Sequence, residues 1–202
     1  MTDIICPKSP HGFAANSYII ISDRTISVVD PTVPYSELYD GYEPGFILLT
    51  HCHFDHILEI DSWAERGFTV VASEWCKIGL SDPDTNCYRL FMGADKGYRG
   101  EVKTVTDGEI INVGDSEIRV MSTPGHTEGS LTYLLGDRAF VGDTAFAEGG
   151  FGRWDLPGGD FDKLRASLRK ICGLPGHIVL YPGHGNRTAV WEYKQQITKR
   201  ML

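Results

Sequence analysis

Residues 50–56 read Thr50-His51-Cys52-His53-Phe54-Asp55-His56, and they directly follow the apolar run Phe46-Ile47-Leu48-Leu49. This short segment contains three imidazoles and one carboxylate. His and Asp are poor core residues, and burying several together is costly unless their charges and lone pairs are compensated. Neutral imidazole and carboxylate both bind divalent metal ions of borderline softness. The segment therefore predicts a metal site that holds more than one ion.

Length, composition and charge set the broad class of the protein. The chain has 202 residues, of which 42% are apolar and 23% charged. These values suit one globular domain with a substantial core, which we expect to span residues 1–202. The net charge of −8 disfavours nucleic acid as the main partner, because phosphate binding requires a basic surface. We expect a small-molecule substrate, and the sequence leaves the oligomeric state open.

The sequence predicts neither a membrane span nor an export signal. No apolar stretch approaches the about 20 residues that a transmembrane helix needs. The N-terminal residues lack the basic and long apolar regions of a signal peptide. The five cysteines are scattered without a Cys-x-x-Cys pair, which favours reduced thiols over a disulfide framework. We therefore predict a cytoplasmic protein that does not contact a membrane.

Short β-branched runs alternate with helical segments along the chain. Strands are predicted at 18–21, 25–29, 46–49, 68–71, 109–113, 117–121, 131–135, 138–141 and 178–181. Helices are predicted at 57–66, at 160–172 with Asp160 as N-cap, and at 189–201. This order indicates an α/β domain with two sheets inside and helices outside. Residues 81–100 are rich in Gly, Asp and aromatic side chains, and we assign no element to them.

Three further residues of metal-ligand type follow β-like runs: His126, Asp143 and His184. Each is flanked by Gly or Pro, so each would lie on a loop at a strand end, where sheet proteins present functional groups. Within the first segment, residues two apart along an extended chain face the same way. This alternation predicts that His51, His53 and Asp55 converge, that Cys52 and Phe54 turn aside, and that His56 comes from the other phase. Two-metal hydrolytic sites hold their ions roughly 3.5–4 Å apart, which one carboxylate can bridge.

The motif His51-x-His53-x-Asp55-His56, followed by His126, Asp143 and His184, resembles the metallo-β-lactamase-fold superfamily. The resemblance runs from about Asn16 to His184. It implies a four-layer αβ/βα sandwich with the metals at the sheet edges. By the same resemblance the first ion would be held by His51, His53 and His126, and the second by Asp55, His56 and His184, with Asp143 bridging. Asp55 and Asp143 are then the candidate catalytic residues.

Asp30, in Val28-Val29-Asp30-Pro31, matches a family aspartate that supports the metal loop. A simple turn role for an Asp before Pro is an equal alternative. His177 and Cys52 are expected to be structural. His11 is expected either to lie at the rim of the site or to be an ordinary loop residue.

The segment from Gly142 to Asp160 indicates a branch of the superfamily. Asp143 stands where one major group of true β-lactamases has a cysteine ligand. Gly152-Arg153-Trp154-Asp155 is similar to the short glyoxalase II-type hydrolases and also to the persulfide dioxygenases. An ion pair between Arg153 and Asp155 that braces the loop is an equal alternative. The chain ends shortly after His184, so we expect no C-terminal helical domain of the kind that holds glutathione in the long enzymes.

The leading functional prediction is a binuclear hydrolase that cleaves a small acyl thioester, in the manner of glyoxalase II, by hydroxide generated at the metal. A thiolate is a good leaving group because thiols have a pKa near about 8.5. Zinc is the first choice for the two divalent ions, and iron and manganese stay open because no ligand is soft. Arg153 and Arg187 are candidates for binding a substrate carboxylate, and a glutathione thioester is one candidate substrate.

Two other functions are predicted as alternatives. The first is a mononuclear iron persulfide dioxygenase, in which His51, His126 and Asp143 would form the two-histidine, one-carboxylate triad that suits non-haem iron. The second is a non-catalytic metal-binding protein on the same fold. The complete set of ligand-type residues argues against the second.

Overall fold

A computed structural model describes residues 2–198 of the chain and shows two six-stranded sheets. The strands are β1 Thr2–Ile5, β2 Tyr18–Ser22, β3 Thr25–Val29, β4 Glu43–Leu48, β5 Thr69–Ala72, β6 Lys103–Thr104, β7 Ile110–Val113, β8 Ser116–Ser122, β9 Leu131–Leu135, β10 Arg138–Gly142, β11 Val179–Pro182 and β12 Thr188–Ala189. The helices are α1 Ile60–Ala64, α2 Glu74–Gly79, α3 Tyr88–Met92, α4 Phe161–Cys172 and α5 Val190–Thr198.

The first sheet has the strand order β1-β2-β3-β4-β5-β6. Its hairpin β2–β3 is antiparallel and turns through Asp23, whose φ of 52° suits a tight two-residue turn. From β3 onward the strands are parallel. The β3–β4 connection contains a 3-10 helix at Glu37–Tyr39, the β4–β5 connection contains α1, and the β5–β6 connection contains α2 and α3. The carboxyl ends of these strands therefore lie at one edge of the sheet.

The second sheet has the strand order β12-β11-β10-β9-β8-β7 and is antiparallel except between β10 and β11. Predicted turns at Gly114-Asp115 and Gly136-Asp137 join its hairpins, and both glycines have the positive φ that such turns require. Helix α4 forms the crossover between the parallel pair β10 and β11.

Three apolar clusters define four layers. The central cluster joins the facing sides of the two sheets, with Leu48 and Val71 from the first and Tyr133 and Phe140 from the second. A second cluster packs α1 and α2 on the outer side of the first sheet. A third packs α4 and α5 on the outer side of the second sheet. The predicted αβ/βα sandwich is confirmed.

Most predicted elements are present, with changes in extent. All nine predicted strands exist, and α4 begins directly after Asp160, whose side chain accepts a hydrogen bond from the Lys163 backbone N–H. The helix predicted at 57–66 is reduced to α1. The described part of the helix predicted at 189–201 is α5, and residues 199–201 lie outside the described residues.

Several short elements were not predicted. They are the strands β1, β6 and β12 and the helices α2 and α3. Helix α3 falls inside the unassigned stretch 81–100. Among residues 2–198, no helix combines the length and apolar character that crossing a bilayer requires.

Candidate metal centre

The predicted ligand residues lie at the carboxyl ends of strands from both sheets. The metal loop (residues 50–56) follows β4, Asp143 follows β10, and His184 follows β11. His126 lies in the turn after β8. Because these strand ends meet at one edge of the sandwich, the structure brings all seven predicted ligand side chains together. Whether they bind metal stays a prediction.

A first cluster consists of His51, His53 and His126. The Nδ1 atom of His53 lies 3.1 Å from His51 Nε2 and 2.9 Å from His126 Nε2, and the two Nε2 atoms are 3.2 Å apart. All three side chains are buried. Three ring nitrogens therefore face one point in a largely buried environment.

The opposite ring nitrogens of two of these histidines are already hydrogen-bonded. His126 Nδ1 donates to the backbone oxygen of Arg153 at 2.7 Å. His51 Nδ1 lies 3.1 Å from the Thr50 hydroxyl, which itself donates to Asp30. These bonds fix the tautomers, so the Nε2 atoms of His51 and His126 present lone pairs to each other. Lone pairs held this close repel unless a cation lies between them.

A second cluster consists of Asp55, His56 and His184. His184 Nε2 lies 3.1 Å from Asp55 Oδ2. Unlike the other histidines of the site, His184 is partly exposed, and it forms the solvent side of the cluster. His56 Nε2 is fully buried and has no hydrogen-bond partner among the described residues.

Asp143 lies between the two clusters. Its Oδ1 atom is 3.2 Å from His56 Nε2, and its Oδ2 atom is 3.7 Å from both His126 Nε2 and His184 Nε2. Oδ1 is buried and lacks a hydrogen-bond partner in the described part of the chain. Unpaired buried polar atoms are rare and costly, so the donor set fits divalent cations that would bind these atoms.

The histidines of the first cluster and His56 of the second have pKa values shifted in opposite directions. Burial lowers the pKa of the His53 imidazole to about 3, and burial also lowers the pKa of His51 and of His126. Burial opposes protonation of His56 as well, but the Asp143 and Asp30 carboxylates beside it raise its pKa. Burial opposes ionisation of Asp143, but the facing histidines hold its pKa below the usual range. The first cluster is therefore neutral imidazole, the form that binds metal.

Asp30 supports the metal loop, as the resemblance implied. Its Oδ1 atom accepts from the Thr50 backbone N–H at 2.8 Å, and Oδ2 accepts from the Thr50 hydroxyl at 2.6 Å and from His56 Nδ1 at 2.8 Å. Asp30 is buried and has a φ of 50°, which Asp adopts more readily than most residues. Asp30 also has the turn role that was the alternative prediction, because its left-handed backbone conformation ends β3.

The predicted alternation of side chains is present in only the first part of the metal loop. His51 and His53 converge while Cys52 is buried in the outer apolar cluster, as predicted. Residues Phe54–His56 form a 3-10 helix that ends the extended run, so Asp55 joins the second cluster instead of His51 and His53. Phe54 shares the outer apolar cluster with Cys52, as predicted, but one side of its ring is turned to the site. Asp55 therefore contacts His184, and Phe54 lines the cavity above the site.

Two glycines beside the ligands were missed from the sequence. A Cβ atom on Gly183 would collide with Asp143 Oδ1 and with the His56 ring, and one on Gly152 would collide with the Asp143 backbone oxygen and the His126 ring. Close packing therefore requires glycine at both positions. The available signal in the sequence is the glycine directly before His184, which by itself indicates only a loop.

Of the two arginines predicted to bind substrate, Arg153 lies at the cavity and Arg187 does not line it. Arg153 lines the cavity and forms a two-bond ion pair with Asp155, with both N···O distances 2.6 Å. Arg187 is not among the residues that line the cavity, and its guanidinium packs over the Tyr181 ring at 5.2 Å. Arg187 is therefore not placed at this cavity, and its role in binding a substrate carboxylate stays a prediction. His11 pairs with Glu59 at 2.8 Å and does not line the cavity either.

A cavity of about 380 Å³ opens directly above the ligand side chains. Its floor consists of predicted metal-ligand residues, and its sides include Phe54, Phe91, Phe146 and Leu156. This volume lies in the usual range for small-molecule sites.

A family model described as the metallo-beta-lactamase superfamily matches residues 12–184. The chain belongs to this superfamily. The match includes all seven predicted ligands, and it confirms the family named from the sequence motifs.

Relatives in the superfamily carry hydrolase names. The probable metallo-hydrolase YqgX of Bacillus subtilis (strain 168) is 34% identical over 192 residues, covering 90% of each chain. The probable polyketide biosynthesis zinc-dependent hydrolase BaeB of Bacillus velezensis (strain DSM 23117 / BGSC 10A6 / LMG 26770 / FZB42) is 31% identical, covering 88% of this chain and 76% of its own. The beta-lactamase hydrolase-like protein of Xylella fastidiosa (strain Temecula1 / ATCC 700964) is 47% identical over 82% of this chain, which spans 43% of that longer protein.

Solved structures of the superfamily have the same fold. The B3 metallo-beta-lactamase BLEG-1 aligns with a TM-score of 0.85 and 29% identity, covering 96% of this chain and 97% of its own. TTHA1623 in a di-iron-bound form aligns at 0.80 with 26% identity over 98% of both chains. ETHE1 from Myxococcus xanthus aligns at 0.71 with 26% identity, covering 98% of this chain and 83% of its own. The glyoxalase II-like subtype is not distinguished by these similarities.

Proposed function

We propose that this chain is a binuclear metal-dependent hydrolase that cleaves small acyl thioesters. The observation that carries the proposal is the position of Asp143 between two clusters of ligand-type side chains. Its Oδ1 faces His56, and its Oδ2 is equally far from His126 and His184. A single carboxylate in reach of both clusters is what two ions in one hydrolytic site require.

The residues of each cluster have separate tasks in the proposal. His51, His53 and His126 would hold the first ion, Asp55, His56 and His184 the second, and Asp143 would contact both. When bound, such ions lower the pKa of water toward about 7 and polarise a carbonyl oxygen. One relative is named a zinc-dependent hydrolase, and one structural neighbour was solved with two bound irons. Zinc and iron are therefore the two metals with which the protein should be reconstituted.

The protein's own groups explain why a thioester suits the site. Hydrogen bonding by His184 keeps the pKa of Asp55 below its usual value although burial opposes this, so the carboxylate is ionised and can orient an attacking water. Among the cavity-lining residues that the structure describes, the Cys87 thiol is the one acid beyond the ligand side chains, and burial raises its pKa to about 11. A thiolate leaves without much help from an acid because its conjugate thiol has a pKa near about 8.5.

The test is hydrolysis of a panel of acyl thioesters by the metal-reconstituted protein. The release of free thiol is the quantity measured. We expect hydrolysis that disappears after chelation and returns with added metal. Nitrocefin, a β-lactam, is the control substrate, because a solved B3 metallo-beta-lactamase is among the structural neighbours. Hydrolysis of nitrocefin without hydrolysis of any thioester would overturn the proposal.

A second candidate function is oxygenation of a persulfide at one iron. The observation that favours it is the contact of His126 with both His51 and Asp143, at 3.2 and 3.7 Å, which gathers two histidines and one carboxylate. The similarity to a solved di-iron protein supports trying iron. Oxygen uptake on glutathione persulfide by protein with one iron per chain, and no thioester hydrolysis, would favour this function over the first. The cytoplasmic location predicted from the cysteines stays a prediction.

A further inference from the structure

The sides of the cavity are apolar. Apart from the ligand residues, its lining consists of Phe54, Cys87, Phe91, Phe146 and Leu156, together with Gly152 and Arg153. The aromatic rings come from separate parts of the chain. The Phe54 and Phe91 rings stack with centroids 5.5 Å apart, and the Phe146 ring lies 6.0 Å from the His184 ring. A substrate that reaches the predicted metal-binding residues must therefore pass between apolar surfaces.

Phe91 is half exposed although it belongs to the cavity lining. It lies on α3 beside Leu90 and Met92, which are also exposed. Phe54, by contrast, is buried beneath it. A large apolar ring left open to water at a cavity mouth gains about 25 cal/mol for each Å² that a ligand covers.

Cys87 keeps the wall uncharged. Burial raises the pKa of its thiol to about 11, so the group is protonated at neutral pH. Its backbone has a φ of 65°, a conformation that costs a non-glycine residue stability and that clusters at functional sites. The residue thus contributes a small neutral surface next to Phe54.

The cavity offers little to a polyanion. Among the lining residues of the described chain, Arg153 is the one cation, and Asp155 already neutralises it through two hydrogen bonds. Arg89, on the same helix as Phe91, is paired with Asp84 and Asp95. The whole chain carries a net charge of −8. Glutathione carries two carboxylates, which would need free cations at the rim.

We propose that the cavity selects thioesters with an apolar acyl group, of the size of phenylacetyl, on a neutral thiol carrier rather than on glutathione. This inference rests on the proposed thioester hydrolysis. The oxygen of water bonds to the carbonyl carbon, the C–S bond breaks with its electron pair going to sulfur, and the two protons of water end on the carboxylic acid and the thiol. Phe54, Phe91 and Phe146 hold the acyl group and determine specificity.

The test measures binding separately from turnover. The zinc-loaded protein is titrated calorimetrically with three non-hydrolysable thioethers: S-(2-phenylethyl)-N-acetylcysteamine, S-ethyl-N-acetylcysteamine and S-(2-phenylethyl)glutathione. We expect the first to bind about 10-fold tighter than the second, because it buries a phenyl ring. We expect the third to bind at least several-fold more weakly than the first. Equal Kd values for the first two, or binding of the glutathione compound as tight as or tighter than that of the first, would overturn the inference.

Two variants assign the selectivity to the ring positions. Phe91→Ala and Phe146→Ala should each reduce the preference for the phenyl compound at least several-fold. Leu90→Ala is the matched control, because Leu90 is exposed on the same helix and does not line the cavity. An unchanged preference in both Phe variants would overturn the assignment, and so would an equal loss in the Leu90 variant.

Turnover distinguishes the two proposals. We expect kcat/KM for S-phenylacetyl-N-acetylcysteamine to exceed that for the S-acetyl compound about 10-fold, and to exceed that for S-lactoylglutathione. A preference for S-lactoylglutathione would contradict the apolar selection while leaving thioester hydrolysis in place. Binding of the phenyl thioether as expected, with no thioester hydrolysed, would support the apolar cavity and overturn the proposed reaction.

Discussion

Asp30 connects the backbone of the metal loop to a ligand side chain. One carboxylate accepts hydrogen bonds from the Thr50 backbone N–H, the Thr50 hydroxyl and His56 Nδ1. Each of the two carboxylate oxygens therefore faces at least one donor, so neither can be replaced by an NH₂ group without the loss of an acceptor. Asp30 is therefore a positioning residue, which sets the orientation of His56 without contacting a substrate.

Replacing Asp30 by Asn should weaken metal binding. An amide puts an NH₂ group against either Thr50 or His56, at a cost of about 1–3 kcal/mol in the free energy of unfolding. Loss of such a supporting partner typically lowers metal affinity about 10–100-fold. Competition with a chelating dye measures the affinity, and urea unfolding measures the stability.

Asp23→Asn is the matched control for this change. Asp23 also has a positive φ, 52°, but lies exposed in the β2–β3 turn. Asn tolerates this conformation, so neither variant introduces backbone strain. Zinc affinity equal in the Asp30 and Asp23 variants would contradict the positioning role.

Removing the carboxylate of Asp143 should abolish the two-ion site. The Asp143→Ala variant loses the side chain within reach of both clusters, so we expect at most one bound ion per chain and a fall in kcat of about 100-fold or more. Elemental analysis and thioester turnover are the measurements. Asp137→Ala, at an exposed turn, serves as the control. Retention of two ions with full turnover would refute the bridging assignment.

At the scale of elements, α4 fixes the turn that carries His126. The backbone N–H of Asp160, the N-cap of α4, donates to the Gly125 oxygen at 2.9 Å, and the Ser167 hydroxyl donates to the Pro124 oxygen at 2.7 Å. A Cβ atom on Gly125 would collide with the backbone of Leu164 inside α4. The position of His126 therefore depends on contact between a turn and a helix.

Gly125→Ala should be more destabilising than a glycine substitution in an ordinary turn. Gly136 also has a positive φ, but a Cβ there meets nothing within 4 Å, so Gly136→Ala isolates the conformational cost of about 1–2 kcal/mol. Crowding against α4 adds about 1–3 kcal/mol at Gly125. Urea unfolding of both variants gives the difference. Equal losses would show that the close approach of turn and helix contributes nothing.

Secondary structure was predictable where the local pattern is strong. The nine predicted strands are β-branched runs bounded by turn residues, and α4 has an N-cap and one apolar face. Strand β1 was missed because its alternating half-buried and exposed residues lie at a sheet edge. Helices α2 and α3 have five or six residues, too few to show a helical period.

The candidate site was predictable in residue type and only partly in geometry. Spacing and chemistry identified the histidines and aspartates, because no core would otherwise tolerate them. The sequence could not reveal the 3-10 helix that turns Asp55 toward His184 and Phe54 into the cavity. The requirement for glycine at 152 and 183 arises from contacts between segments far apart in sequence.

At the scale of the whole molecule, the two sheets join at the site. The clusters contain side chains from the end of β4 in one sheet and of β10 and β11 in the other. Bound ions would link the sheets, because ligands for each ion come from both. Metal binding is therefore expected to stabilise the folded chain as a unit.

Chelation should lower the melting temperature. Free zinc at about 100 times its Kd contributes about 2.7 kcal/mol, which for a chain of this length corresponds to about 5–10 °C. Differential scanning calorimetry with added zinc and with excess chelator measures the shift. The Asp143→Ala variant should show a smaller shift, and an unchanged melting temperature in the parent chain would contradict metal binding across the sheets.

The most direct measurement is a titration of metal-free protein with zinc while thioester hydrolysis is followed. If Asp143 bridges two ions that act together, activity should rise until two equivalents per chain have been added and then stay constant. A plateau at one equivalent would contradict the two-ion account, and absence of hydrolysis at any zinc level would contradict the proposed reaction.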